Sequence, residues 1–288
     1  MSGGERPLAD TQGRFVQVVT NGRKVNDLDW LSGRILLSNK RLVLASNEGK
    51  RQFPLSKITT VKNRKNANQA MAAVSGYFSV QLGSDVFLVA PADVDEFEEQ
   101  FYTALLDGEA VLVKHPAVEG GVVQDTQWTK GRVNIDGDVV GLAVSSGQFV
   151  EVELEDVGAV ETRETTVRGS ERRVIEIEHT DGDGTSVQTY VSGTDRHVSI
   201  LESLVRQGEL QNATDADLDQ TDMEVLMALY SGVSPFEIPD FVGMDVEDVE
   251  AVFDRLVEEG ILREKRVRRD VRLKARGRNI ASDVISDQ

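Results

Sequence analysis

One sequence pattern occurs twice in this chain, at a separation of 98 residues. The motif W-x-x-G-R begins at Trp30 and again at Trp128. In each copy, short apolar segments lead to an amphipathic stretch, Asp93–Asp107 in the first copy and Asp195–Gln207 in the second, for which we predict a helix. A unit of about 100 residues is too long for a solenoid repeat and has the usual size of a domain. The repeat therefore predicts two tandem domains of one fold.

The apolar segments in each copy have the length and turn signals of β-strands. The predicted strands are Phe15–Val19, Gly33–Leu37, Arg41–Ala45, Lys50–Phe53, Ile58–Lys62, Tyr77–Leu82 and Val86–Ala90 in the first copy, and Ala110–Lys114, Gly131–Ile135, Val139–Val144, Phe149–Leu154, Val157–Arg163, Arg173–His179 and Ser186–Val191 in the second. Asp93 is placed to cap the first closing helix, and Gly108 and Gly208 to end the two helices. Several strands followed by one helix resemble the pleckstrin-homology (PH-like) superfold, in which a bent antiparallel sheet is closed at one end by the helix.

A different pattern follows the second copy. Residues 209–219 are polar and predict a linker. Thr221-Asp222-Met223-Glu224 has the form of a capping box, Val246–Glu259 has helical periodicity, and a final helix is predicted around Ala275–Val284. Three helices, a two-stranded wing and a last helix are typical of a winged helix-turn-helix. We therefore predict an α+β multidomain chain with PH-like domains at 12–108 and 109–208 and a winged-helix domain at 220–288.

Charge and composition exclude several classes of protein. The net charge is −17, which repels nucleic acid and anionic membranes. This acidity suits a protein of a salt-rich cytoplasm, although an ordinary acidic cytosolic protein is an open alternative. The absence of cysteine excludes disulfides, thiolate metal sites and cysteine nucleophiles. No segment has the ~20 apolar residues of a membrane span, and the N-terminus lacks the apolar core of a signal peptide. These features predict a soluble, cytoplasmic protein.

Basic residues are concentrated in one part of the first copy. Residues 34–65 contain nine Arg and Lys residues and a single acid, Glu48. The segment is either a solvated face or a docking surface for an acidic protein, and phosphoinositide binding is a weaker alternative. The candidate partner-binding residues are Arg41, Lys50, Arg51, Lys57, Arg64 and Lys65, with Arg268 and Arg269 of the predicted wing as further candidates.

The predicted third helix of the winged-helix domain is acidic. Its solvent positions carry Glu and Asp, with Arg255 as the exception. A helix that reads DNA faces about one phosphate charge per 1.7 Å of duplex, so this composition favours a protein-docking winged helix over a DNA-binding one. The basic wing keeps DNA binding open as an alternative.

No motif in the sequence indicates catalysis or a bound cofactor. Asp181-Gly182-Asp183-Gly184 resembles part of a calcium loop but lacks the bidentate Glu, and a hairpin turn explains it. The three histidines are scattered without metal-ligand spacing, so we predict surface or half-buried positions for them. Trp30 and Trp128 are interpreted as core residues, and Gly33 and Gly131 as tight-turn residues. A glycine-rich phosphate loop, a nucleophile elbow and paired catalytic carboxylates are all absent from the sequence. We predict no enzyme, no cofactor and no metal.

Taken together, the tandem W-x-x-G-R copies, the acidic cysteine-free composition and the C-terminal winged-helix pattern resemble one family. The chain is similar to the CheF family of archaeal taxis proteins, in a haloarchaeal version, over essentially its whole length. The resemblance implies a non-enzymatic adaptor in chemotaxis and phototaxis. Such an adaptor is expected to connect the response regulator CheY and the CheC and CheD proteins to accessory proteins of the archaellum motor, and to be recruited to that motor at the membrane.

A second hypothesis belongs to a different functional class. Two sensing domains followed by a DNA-binding winged helix would describe a transcription regulator. Binding of promoter DNA with a steep salt dependence would favour this hypothesis, whereas co-purification with taxis and motor proteins would favour the adaptor.

Overall fold

A computed structural model describes residues 4–26, 28–64, 76–182, 184–212 and 218–262 of the chain. The chain divides into two compact units, Met1–Thr214 and Asp215–Gln288. The described residues of the first unit form two antiparallel sheets and two α-helices, and those of the second unit are helical. In the part of the chain that the structure describes, no helix has both the length and the apolar character required to cross a membrane.

The first repeat forms an eight-stranded antiparallel sheet followed by a helix. Its strands are β1 (Pro7–Thr20), β2 (Arg23–Lys24), β3 (Leu31–Ser38), β4 (Arg41–Ser46), β5 (Gly49–Pro54), β6 (Thr60–Arg64), β7 (Tyr77–Leu82) and β8 (Asp85–Pro91), and its helix is α1 (Val94–Leu106). A short 3-10 helix, Leu55–Lys57, precedes β6. The strand β1 begins at Pro7, five residues before the predicted start of the first domain at residue 12.

The second repeat forms a second sheet of the same kind. Its strands are β9 (Ala110–Glu119), β10 (Val122–Val123), β11 (Thr129–Asp136), β12 (Val139–Val144), β13 (Phe149–Glu153), β14 (Val157–Val167), β15 (Ser170–Thr180) and β16 (Ser186–Ser192), and its helix is α2 (Asp195–Asn212). A 3-10 helix, Leu154–Asp156, again precedes the sixth strand. The strand order is β5-β4-β3-β1-β8-β7-β6 in one sheet and β13-β12-β11-β9-β16-β15-β14 in the other. The identical order confirms that the sequence repeat is a structural repeat.

One hydrophobic core extends through both repeats. Phe78, Phe101 and Leu44 of the first repeat belong to the same buried cluster as Leu142 and Leu201 of the second. The helix α1 packs against β11, and α2 packs against both β14 and β6. Since each helix contacts the sheet of the other repeat, residues 1–214 form a single compact unit.

An arginine of α2 links the two repeats through the backbone. The Nε atom of Arg196 donates to the carbonyl of Ile58 at 2.9 Å, and Nη2 donates to the carbonyl of Leu55 at 3.1 Å. These carbonyls flank the 3-10 helix before β6. The Leu55 carbonyl also accepts from the Ile58 amide at 3.1 Å, so Arg196 adds a second bond there and ties α2 to the backbone of the first repeat.

The predicted start of α1 agrees with the structure, whereas the predicted end of α2 does not. Asp93 caps α1 as predicted, because its side chain accepts from the amide of Glu96 at 3.0 Å. The prediction that Gly208 ends α2 is wrong, since the helix continues to Asn212 and includes the first four residues of the predicted linker. A Cβ at Gly208 would lie 2.3 Å from the carbonyl oxygen of Leu154. Because Gly208 has no side chain, α2 can pack closely against the backbone of Leu154.

The residues of the repeated motif also differ from their interpretation. Trp30 and Trp128 are half-buried and outside the main core, and Trp30 meets Tyr77 edge-to-face with ring centroids 6.3 Å apart. Gly33 lies inside β3 and not in a tight turn, and Gly131 lies at the matching position of β11. At Gly33 a Cβ would come within 2.0 Å of the carbonyl oxygen of Ala45, so close strand packing requires the glycine.

The described part of the second unit contains three helices, α3 (Gln220–Tyr230), α4 (Ile238–Val242) and α5 (Val246–Glu258). They enclose a small core of Val225, Ala228, Ile238, Val249, Val252 and Leu256. The capping box of α3 consists of Asp219 and Asp222 and not of Thr221 and Glu224. Asp222 is buried, and the Arg255 guanidinium that donates to it lowers the pKa of its carboxyl. The predicted wing and final helix lie outside the described residues.

Candidate functional site

Two of the candidate residues, Arg41 and Lys50, lie on the outer face of the first sheet. Side chains alternate along strands, so buried Ile35, Leu42 and Leu44 mark the inner face and their neighbours point outward. Arg34 pairs across the strands with Ala45, and Ala45 pairs with Lys50, which places both basic residues in one row. Exposed Arg34, Arg41 and Lys50 form what we call the basic face.

Acidic residues from the start of the chain neutralise two members of the basic face. Arg34 Nε donates to Asp10 Oδ1 at 2.5 Å, and Arg41 Nε donates to Glu5 Oε1 at 2.6 Å. Hydrogen bonds from Arg41 and Ser38 lower the pKa of the Glu5 carboxyl to about 2, and the bond from Arg34 lowers the pKa of Asp10. These pairs are exposed, so each contributes little to stability. Lys50 has no acidic partner among the residues that the structure describes.

Arg51 does not belong to the basic face. It pairs across the strand with buried Leu44, so its side chain leaves the sheet on the inner side. Its guanidinium lies 5.4 Å from the centre of the Phe87 ring, and Nη1 donates to Gln17. Arg51 is therefore held by contacts within the first repeat, and its replacement would disturb packing as well as charge.

The remaining predicted site residues lie in other places. Lys57 is exposed on the 3-10 helix before β6. Arg64 is the last residue of β6, and the structure describes its backbone position only. Lys65, Arg268 and Arg269 lie outside the described residues, so their place in a partner-binding site stays a prediction.

The second repeat provides an internal comparison for the basic face. The matching cross-strand registers place Val139 at the position of Arg41, Phe149 at that of Lys50 and Val150 at that of Arg51. The 3-10 helices match as well, so Asp156 corresponds to Lys57. Arg34 is matched by Arg132 in the second repeat, whereas the positive charges of Arg41, Lys50 and Lys57 have no counterpart there. These three basic residues are therefore not required by the fold.

A cleft of about 290 Å³ lies between the two repeats. Carboxylates line it, among them Glu98 of α1 and Asp138 of the turn after β11. Glu98 is buried and accepts from Gln207 Nε2 at 2.7 Å, and this bond joins α1 to α2. Throughout the described ranges, no group of three or more His, Asp or Glu residues is arranged to hold a metal ion.

Two histidines that are far apart in sequence meet in the second repeat. The rings of His115 and His179 stack with centroids 6.1 Å apart. Both bond to the buried hydroxyl of Thr189, at 2.7 Å from His115 Nδ1 and 2.8 Å from His179 Nε2. The hydroxyl has one proton, so it donates to at most one imidazole and accepts an N–H bond from the other. The prediction of surface or half-buried histidines is wrong for His179, whose side chain is buried and bonds to Thr189 of β16.

The histidine pair makes stability depend on pH. Burial, and then neighbouring His179, lower the pKa of His115 to about 4; burial also lowers the pKa of His179, and Asp181 opposes the shift at both histidines. The unfolded chain, with a histidine pKa of about 6.5, binds more protons than the folded chain between these values. We therefore expect stability to be intact above pH 6.5 and to fall as the pH drops from about 6.5 to 4.

Urea unfolding at constant salt between pH 7.5 and 4.5 measures this dependence. The matched variant His115→Gln/His179→Gln should show a shallower loss of stability over the same range, whatever its stability at pH 7.5. His197 and the carboxylates remain in both proteins and supply the common background. Equal slopes for the two proteins would contradict the assignment.

Comparison with known proteins adds an independent result. A family model described as "Archaeal Chemotaxis signal transduction system protein F" matches residues 7–211, and one described as "Domain of unknown function (DUF8579)" matches residues 217–286. The chain is 48% identical over 290 residues to taxis protein CheF1 of Halobacterium salinarum, with 100% of both chains covered. It is 23% identical over 265 residues to taxis protein CheF2 of the same organism, covering 88% of this chain and 90% of that protein.

Proposed function

Because the chain belongs to the CheF family of archaeal chemotaxis signal transduction proteins, we propose that it is a non-enzymatic adaptor that couples the response regulator CheY to the archaellum motor. CheC, CheD and motor accessory proteins are the other proposed partners. The protein acts in the cytoplasm and is recruited to the motor at the membrane. Family membership supports the role in taxis signalling, and the proposed contacts depend on the surface of the first repeat.

One observation carries the choice of surface. The positions of Arg41, Lys50 and Lys57 in the first repeat are occupied by Val139, Phe149 and Asp156 in the second, although the two repeats have the same strand order. An acidic receiver domain is complementary to the first surface and not to the second. In a salt-rich cytoplasm the Debye length is about 3 Å at 1 M, so long-range steering is screened and the attraction must come from direct contact pairs. Arginine and lysine side chains make such pairs with carboxylates.

The domain architecture that we propose has three parts. In each sheet the long first strand lies between the third and the eighth strand, and a helix follows the eighth. This order supports PH-like domains at 12–108 and 109–208. The order of α3, α4 and α5 supports a winged helix at 220–288. The segment 209–219 then serves as the linker, with its first residues at the end of α2.

A charge-reversal experiment tests the proposed CheY surface. Lys50→Glu/Lys57→Glu changes two exposed lysines that have no acidic partner among the described residues. We expect the affinity for activated CheY to fall about tenfold or more, the equivalent of ~1.4 kcal/mol. The melting temperature should stay nearly unchanged, because surface substitutions away from packed contacts have small effects. Binding is measured by calorimetry at native salt.

The control reverses charge on the matching surface of the second repeat. The control variant Glu151→Lys/Glu155→Lys changes the residues that correspond to Gln52 and Ser56 of the first repeat. It should leave CheY binding unchanged. Undiminished binding by the lysine double variant would contradict the proposed surface. The site would then be sought at Arg268 and Arg269 of the predicted wing.

The alternative function as a transcription regulator has its own test. The third helix, α5, carries acidic residues at its solvent positions, and its single basic residue, Arg255, is bound to Asp222. This charge disfavours contact with phosphates. We expect the full chain to leave duplex DNA unshifted across a salt series. Tight binding with a steep negative salt dependence would support the DNA-binding hypothesis instead.

A further inference from the structure

One face of α3 is apolar and open to solvent. Met223, Met227 and Tyr230 are 50%, 69% and 91% exposed. They stand at positions i, i+4 and i+7, so they lie above one another on one side of the helix. We call these three residues the α3 face. Exposed apolar residues grouped in this way mark interaction sites more often than single exposed residues do.

The α3 face is held on a fixed support. The opposite side of the helix carries Val225 and Ala228, which are buried in the core of the second unit. The capping box of Asp219 and Asp222 anchors the helix start, and Arg255 of α5 donates to Asp222. The helix therefore cannot rotate to bury Met223 and Met227 without losing its core contacts.

The segment that carries the α3 face is strongly acidic. The described residues 218–262 contain twelve Asp and Glu residues and one Arg. That arginine, Arg255, is already engaged by Asp222 and Asp219. The acidity exceeds the average of this acidic chain, because the segment has about one sixth of the residues and most of the net charge of −17.

The charge identifies the kind of occupant. A second copy would bring two acidic surfaces together, and like charges in an interface are unfavourable. An acidic partner is disfavoured for the same reason. A helix with apolar residues on one side and lysine or arginine around them matches both the apolar α3 face and the acidic segment that carries it. Methionine side chains also adapt to varied apolar shapes.

We propose that the α3 face is a docking site for a basic amphipathic helix of a partner protein. This site lies in the second unit and goes beyond the proposed function, which assigns the first repeat to an acidic receiver. The two sites select partners of opposite charge, so one adaptor can bind both without competition at a shared surface.

The experiment uses the full chain and two synthetic 18-residue helical peptides, one of leucine and lysine and one of leucine and glutamate. Fluorescence anisotropy should show at least about tenfold tighter binding of the leucine–lysine peptide. The variant Met223→Ser/Met227→Ser/Tyr230→Ser should weaken that binding about tenfold or more. The control Val122→Ser/Val123→Ser changes exposed apolar residues of β10 and should leave binding unchanged.

Charge is tested separately from apolar contact. Glu247→Lys/Glu250→Lys alters two exposed acids of α5 and should also weaken binding of the leucine–lysine peptide. Circular dichroism melts show that each variant is folded. Equal affinity for both peptides, or an unchanged affinity of the serine variant, would overturn the proposal.

Two other occupants give distinct results. If sedimentation shows a dimer that the serine variant dissociates, the face binds a second copy and the proposal is wrong. If the chain binds the leucine–lysine peptide only after Arg268→Glu/Arg269→Glu, its own basic segment occupies the face, and the proposal is likewise wrong. The effect of Lys50→Glu/Lys57→Glu on CheY binding is a separate result. It neither supports nor contradicts docking at the α3 face.

Discussion

Replacing Phe101 with alanine is expected to lower the free energy of unfolding of the first unit by about 3–5 kcal/mol. The Phe101 side chain is fully buried, and its ring lies 5.3 Å from that of Phe78 and 6.1 Å from that of Phe97. The substitution removes apolar contacts and leaves a cavity in a core that both repeats share. The loss should therefore destabilise both repeats together, although the residue belongs to the first.

The chain contains two tryptophans, one in each repeat, which allow this to be measured. In the backgrounds Trp128→Phe and Trp30→Phe, fluorescence reports denaturant unfolding of the first and second repeat respectively. Phe101→Ala should shift both transitions by the same amount. The control Phe149→Ala removes a ring that is 52% exposed. It should shift neither transition by more than a small fraction of the Phe101→Ala shift. A shift confined to Trp30 would show that the repeats unfold independently.

The second large effect is expected for Gly33→Ala. A Cβ at this position would lie 2.0 Å from the carbonyl oxygen of Ala45 and 3.2 Å from the Phe15 ring. The oxygen belongs to the backbone of the adjacent strand, so relief requires β3 and β4 to separate. Overpacking of this kind costs about 3 kcal/mol, which exceeds the ~0.5–1 kcal/mol that alanine gains over glycine through the unfolded chain.

The second repeat contains the matched control for this substitution. Gly131→Ala affects the corresponding strand position, where the nearest atoms are a methyl carbon of Val113 at 3.0 Å and the carbonyl oxygen of Ala143 at 3.3 Å. A side-chain methyl can move, so the loss should be near 1 kcal/mol or less. Equal losses at Gly33 and Gly131 in urea melts would contradict this account.

Many elements could be predicted from local pattern. The boundaries of β7 and β12 agree with the alternation of apolar residues and their flanking turns, and α1 begins after Asp93 as its cap indicates. These features depend on residues that are neighbours in sequence. The same reasoning misplaced the end of α2, because Gly208 is a frequent helix terminator and only its distance from Leu154 shows a packing role.

The candidate site was predictable in composition and not in arrangement. The sequence shows that basic residues are concentrated in the first repeat. It does not show that Glu5 and Asp10 pair with two of them. Pairing of Arg41 with Glu5 joins residues 36 positions apart. Arg51 falls on the inner side of the sheet through strand register, which a count of charges does not report.

By itself, the sequence determined the repeat, the local elements, the absence of cysteine and the separation of charge along the chain, because each is a property of composition or short-range spacing. Tertiary structure decided that the two repeats share one core, that His115 and His179 meet at Thr189, and that Met223 and Met227 remain exposed. These are contacts between distant segments or the lack of them. They follow from which faces of the elements pack together, and helical or strand periodicity limits that choice without specifying the partner.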